Sequence, residues 1–108
     1  DKISGLCLNC SQFEDISKGL DILKRYHLPY GALPNNFQSV KPLKLGMSVD
    51  NIKKRNDILI EDFVNYSNIW LKKGCTILGG CCEITPDYIN ELNQFLMKNK
   101  YNKINFFN

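Results

Sequence analysis

The chain has 108 residues, with 14 lysines and arginines against 11 aspartates and glutamates and a net charge of +3. That length allows one small domain with a modest core, and basic residues scattered without a stripe argue against a nucleic-acid or polyanion partner. No apolar run approaches the roughly 20 residues needed to span a bilayer, and no signal-peptide pattern opens the sequence.

Residues 3–8 are short and apolar and stop at Asn9-Cys10-Ser11, which predicts a buried strand ending near Leu8. Phe13, Ile16, Leu20, Ile22 and Leu23 recur at helical spacing and predict a helix over 13–26, with Ser11 as its N-cap. Residues 27–33 form a second short apolar strand, stopped by Pro34-Asn35-Asn36. Residues 37–57 have no clean period and include Pro42 and Gly46; a loop of that length in a compact domain is usually functional. Ile60, Phe63, Val64, Ile69, Trp70 and Leu71 restore a helical period over 58–73, and Gly74 sits where a helix C′ glycine belongs.

Residues 75–78 read as a third strand. Thr85-Pro86-Asp87 then offers an N-cap, a proline at the first helical position and an acid in the first turn. That last helix is expected to turn Ile89, Leu92, Phe95 and Leu96 inward. Residues 99–108 are polar and aromatic without a period and read as a peripheral tail to the α/β unit of residues 1–98.

The order is βαβαβα with short continuous apolar strands, the pattern of a parallel sheet covered by helices. Three such units cannot close a barrel and leave strand edges open. With a strand beginning almost at Asp1, the chain reads as a part of something longer.

Five cysteines, Cys7, Cys10, Cys75, Cys81 and Cys82, make an odd count that fits poorly with a closed disulfide framework. Their place in apolar runs and at strand ends argues for reduced thiols in a reducing, cytoplasmic compartment. Gly79-Gly80-Cys81-Cys82 is the most informative motif. Adjacent side chains of an extended chain point to opposite faces, so two thiols serve one site only where the backbone bends. Paired glycines are expected to supply that bend through φ/ψ values other residues avoid. Two thiols aimed at one point suit a soft metal ion, zinc above all.

In a parallel sheet the C-terminal strand ends share one rim, where α/β proteins build their sites. Cys10 follows the first strand and Cys81 and Cys82 follow the third, with Asn35 and Asn36 in the loop between. Three thiols thus fall on one rim, and three protein ligands with a fourth position open is the catalytic arrangement of zinc. The helix starting at Thr85 is expected to favour the thiolate form of the pair. Cys7 makes a C-x-x-C with Cys10, but residues three apart on a strand face opposite ways; Cys7 and Cys75 read as core residues. His27 falls on the far rim and reads as a surface or helix-end residue, and Trp70 as packing. Glu83 is either a general base or a first-turn acid.

Gly79-Gly80-Cys81-Cys82, followed by Thr85-Pro86 and Ile89, resembles the C-terminal signature of the homocysteine S-methyltransferase family. Gly5 with Asn9-Cys10 resembles that family's earlier strand ending in Asn-Cys. Tyr30-Gly31-Ala32 through Asn35 and Phe37, and Trp70 with Gly74, are similar to further segments of it. The resemblance spans roughly residues 3–97; Glu83 departs from it, because many members have glycine there.

The likeness implies that the chain is the last three βα units of a (β/α)8 TIM barrel, a fold of about 250 residues. It implies zinc held by Cys10, Cys81 and Cys82, with the sulfur of homocysteine as fourth ligand. The reaction implied is transfer of a methyl group from an activated donor, a sulfonium or similar, to homocysteine, giving methionine. Asn9 and Asn35 become candidates for orienting substrate or site loops. The N-terminal part of the barrel, on the same or a separate chain, would be a required partner, so the chain alone is expected to be inactive. The alternative is a non-catalytic structural zinc-thiolate module with Cys7 as a fourth ligand.

Overall fold

Three short strands, of which the middle one is buried along most of its length, set the architecture. In the computed structural model, which describes residues 2–38 and 53–102, strands β1 (Leu6–Ser11), β2 (Tyr30–Pro34) and β3 (Ile77–Leu78) pair in parallel in the order β1-β2-β3. Leu8, Ala32 and Leu78 stand in register across the sheet. All three join the core formed with helices α1 (Phe13–Leu23), α2 (Ile60–Lys72) and α3 (Pro86–Lys98). The neighbouring β1 positions Cys7 and Asn9 point the other way and are exposed. Cys7 is therefore not a core residue as expected: it faces the side of the sheet that the helices leave open.

Aromatic rings lock the helices together. Phe13 stacks on Trp70 at 5.9 Å between centroids and meets Phe63 edge-on at 6.2 Å. Trp70 is fully buried, and its indole N–H donates to Ser17 Oγ at 2.8 Å, so a large apolar ring is buried with its one donor paired. At the opposite end of β2, Tyr30 donates its hydroxyl to the Lys73 carbonyl at 2.7 Å, tying that strand to the end of α2. Gly74 follows at φ 107, the left-handed C′ position expected of it.

Several boundaries differ from expectation. Strand β1 runs on through Cys10 to Ser11, with an irregular register between Asn9 and Ser11. Ser11 is therefore part of the strand, its hydroxyl donating to Asn9 O, and Gln12 takes the N-cap position of α1. The last turn of α1 tightens to a 3-10 helix over Lys24–Tyr26 and ends at exposed His27 with φ 56, the helix-end role read for it. Ile22, Ile69 and Ile89 are exposed; in α3 the buried face is built on Tyr88 and Leu92, which leaves Ile89 one step round the helix. Phe37 and Lys54 form an antiparallel bridge between the two ends of the expected functional loop, whose middle, 39–52, lies outside the described residues. Of the tail, residues 99–102 are exposed and 103–108 lie outside the described residues.

Cys75, as expected, is a core residue, 1% exposed. Burial pushes its thiol up to about 11 from the ordinary 9.0. The unfolded thiol ionises above pH 9 while the folded one does not, so its contribution is complete below pH 9 and is lost as pH rises towards 11. That loss amounts to roughly 2–3 kcal/mol at most. Urea midpoints measured from pH 8 to 11 should fall less steeply for Cys75→Ala than for the parent chain. Equal slopes would assign the alkaline loss to other groups.

Candidate metal centre

The two loops that leave β1 and β3 are brought together by the one that leaves β2. Hydrogen bonding between the strands continues past their ends. Asn35 N–H donates to Ser11 O at 3.0 Å on one side. On the other side, Cys81 N–H donates to Pro34 O at 2.8 Å and Asn36 N–H to Cys82 O at 2.9 Å. These bonds fix Cys10 and the Cys81-Cys82 pair against one central segment. The Sγ atoms of Cys10, Cys81 and Cys82 consequently all lie within 4.8 Å of one another.

The Cys81 and Cys82 sulfurs are 3.8 Å apart. Two sulfurs bonded at about 2.3 Å to a tetrahedral zinc are separated by about 3.8 Å, so the pair fits such an ion. The donor set is three soft thiols, all half-buried. Among the described residues this is the one group of three or more histidine, cysteine or acidic side chains with metal-binding spacing, and Cys7 is not in it. The three thiols singled out from sequence are thus brought together, and Cys7 and His27 are not.

The bend at the pair arises differently from expectation. Neither Gly79 nor Gly80 has positive φ. They provide space instead: a Cβ on Gly79 would sit 2.6 Å from Leu33 Cδ2, and one on Gly80 2.3 Å from Ile84 Cγ2. The turn itself is closed by Ile84 N–H donating to Cys81 O at 3.2 Å, with Glu83 at φ 62. Cys10, at φ 52, is the second left-handed residue of the site and coincides with the register irregularity of β1.

Burial opposes the thiolate-favouring effect expected of the helix at Thr85. Burial raises the Cys10 thiol to about 11, helped by its neighbours Cys81 and Cys82. Cys82 is likewise raised, first by burial and then by Cys81. Desolvation favours the protonated forms of Cys10 and Cys82, so protons must leave as a cation enters.

The two asparagines behave differently. Asn9 is exposed on the open face of the sheet. Asn35 is fully buried, with its amide turned towards Cys10: Nδ2 donates to Cys10 O at 2.6 Å and contacts Cys10 Sγ at 3.8 Å. Two further residues of the site, Gln12 and Arg55, carried no sequence signal of their own. Gln12 donates to Asn35 Oδ1 and Phe37 O; Arg55 Nη1 donates to Gln12 Oε1 at 2.8 Å and to Glu14, while its other nitrogens hold Asp57. Those carboxylates push the Arg55 guanidinium further up and keep it charged. Asn36 donates to Ile58 O and Tyr88 Oη, anchoring the segment to α3. Arg55 lies in the stretch without a period and Gln12 between two elements, so neither falls in a readable pattern.

The family model described as Homocysteine S-methyltransferase matches residues 1–96. The chain belongs to the homocysteine S-methyltransferase family. It is 30% identical over 101 residues to a selenocysteine methyltransferase of Astragalus bisulcatus, an alignment covering 89% of this chain and 27% of that protein. It is also 30% identical over 101 residues to a selenocysteine Se-methyltransferase of Brassica oleracea var. italica, covering 93% and 28%. Homocysteine S-methyltransferase 2 of Zea mays is 46% identical over 37 residues, 34% of this chain and 11% of that one. The chain thus spans little more than a quarter of the length of the relatives it matches along most of its sequence. No solved structure gives a significant match.

The left-handed Glu83 offers a direct test of the turn. A side chain at that φ costs about 1–2 kcal/mol, partly offset in glycine by the greater freedom of the unfolded chain. Glu83 is exposed, so little contact is lost on its removal. Chemical denaturation should find Glu83→Gly more stable by roughly 0.5–1 kcal/mol, with no such gain for Glu83→Ala. Equal effects of the two would contradict the turn geometry.

Proposed function

We propose that the chain is the metal-binding C-terminal part of a zinc-dependent methyltransferase that uses homocysteine as acceptor and a sulfonium or similar compound as donor. The observation that carries this is the convergence of Cys10, Cys81 and Cys82, separated by some seventy residues of sequence, to within 4.8 Å. Three thiols at one point match the three-ligand catalytic zinc pattern with a position left for substrate. Zinc held there would supply a Lewis acid that favours the thiolate of a sulfur in the fourth position.

In the reaction the acceptor thiol gives up its proton and its sulfur forms a bond to the methyl carbon. The carbon–sulfur bond of the sulfonium breaks, and its electron pair stays with the donor as a neutral thioether. The chain's own contribution is to hold the three sulfurs in place and to shield them partly from water. The open sheet face bearing Cys7 and Asn9 fits the inward-facing side of a (β/α)8 barrel. The short share of the relatives that the chain covers fits a requirement for the remaining βα units. Cys7 lies outside the thiol group, which favours the open site over a closed structural one. Because two relatives are named for selenocysteine, that selenol is the second acceptor to assay.

Zinc titration separates the two kinds of site. Cys7→Ser should bind zinc with affinity near that of the parent chain, whereas Cys82→Ser should lose at least about tenfold, since even loss of a supporting hydrogen bond costs that much. A comparable loss for Cys7→Ser would support the structural module. For the activity, the chain alone with zinc, homocysteine and a sulfonium donor should form no methionine. Joined to the N-terminal remainder of a relative, it should form methionine, and Cys82→Ser in that protein should not. A folded, zinc-loaded joined protein without methyl transfer to either acceptor would contradict the proposal.

A further inference from the structure

A buried amide costs several kcal/mol unless its polar atoms are paired, and Asn35, 0% exposed, has an unusual distribution of partners. Its Oδ1 accepts from Phe37 N–H at 3.0 Å and from Gln12 Nε2 at 3.3 Å. Its Nδ2 group serves a single residue, donating to the Cys10 carbonyl at 2.6 Å and reaching the Cys10 sulfur at 3.8 Å. Cys10 itself is a non-glycine residue at φ 52, a conformation that persists only where its surroundings hold it. The same asparagine grips the neighbouring residue, its backbone N–H donating to Ser11 O. Gln12, in turn fixed by Arg55, donates to Oδ1 and so keeps the N–H end of the amide towards Cys10.

We propose that Asn35 is a positioning residue for the metal centre rather than a substrate-binding one: it locks Cys10 in its left-handed conformation and donates an N–H···S hydrogen bond to the Cys10 sulfur. This rests on the reading of the three thiols as a metal site. A hydrogen bond to a metal-bound thiolate draws electron density from the sulfur and lowers the energy of its lone pairs. Asn35 thereby both aims the ligand and limits how strongly it donates to the ion, the usual effect of a partner that supports a ligand. Its complete burial leaves the amide no access to a substrate.

The test is cobalt(II) titration of the whole 108-residue chain, reading affinity and the wavelength of the thiolate-to-cobalt charge-transfer band, with circular dichroism to verify folding. Asn35→Asp keeps the shape and the acceptor oxygen but removes the amide donors. Gln12→Glu, at a less buried position, leaves Asn35 intact but removes the hydrogen bond that orients it. Asn35→Asp should bind cobalt at least about tenfold more weakly, with the band moved to longer wavelength because the sulfur lone pairs rise. Gln12→Glu should move the band in the same direction by less. Parental affinity and wavelength in the folded variants would overturn the role of Asn35 and leave the metal site standing. Weaker binding at unchanged wavelength would reduce Asn35 to packing and also overturn it. No charge-transfer band in the parent chain would instead overturn the metal reading on which the inference rests.

Discussion

The geometry of the thiol site depends on the short polar segment that leaves the middle strand. Pro34, Asn35 and Asn36 are all buried, although two of the three carry amides. Polar groups so placed are mostly bonded, and here the bonds run outward in both directions: to Ser11 and Cys10 on the β1 side, and to Cys81, Cys82, Ile58 and Tyr88 on the other, with Asn36 Oδ1 the one side-chain atom of the segment left without a partner among the described residues. The sheet therefore continues as a hydrogen-bonded seam beyond its last regular residue. Cysteines far apart in sequence become neighbours because both of their loops are sewn to that seam. The constraint also links the site to stability, since the same asparagines close the top of the core.

Much of the fold was readable because burial enforces period. Leu8, Ala32 and Leu78 sit in continuous apolar runs, and α2 and α3 carry helical spacing with a C′ glycine and an N1 proline at their ends. Faces were harder to assign than elements. Cys7 looked like a core residue because the run around it is apolar, but it is exposed on the face of the sheet that none of the described residues covers. Ile89 looked inward by composition, yet Tyr88 fills that place. The thiol site was legible because chemistry and topology agree: a doubled cysteine after one strand and a single one after another must share a rim. What could not be read was the mechanism of the bend. Gly80 is needed for space beside Ile84, Gly79 leaves room for the end of Leu33, and the left-handed positions fall on Glu83 and Cys10, which no propensity would nominate.

The same geometry explains the electrostatics. Packing thiols together while partly withdrawing them from water makes Cys10 and Cys82 harder to ionise. A helix start alone does not reverse this. A divalent cation at their centre would, which gives the arrangement a physical purpose that three buried hydrophobic side chains would not have. The strained Cys10 belongs to the same account, because a left-handed non-glycine residue is retained where its side chain has to point somewhere in particular.

Zinc X-ray absorption of the zinc-loaded chain, with and without homocysteine, reads directly whether the proposed three-thiol site keeps one position for a sulfur substrate. Three sulfur neighbours and one lighter atom are expected at the zinc without homocysteine, and four sulfurs with it. Four sulfurs in the absence of homocysteine, or a shell that homocysteine does not change, would contradict the proposed site.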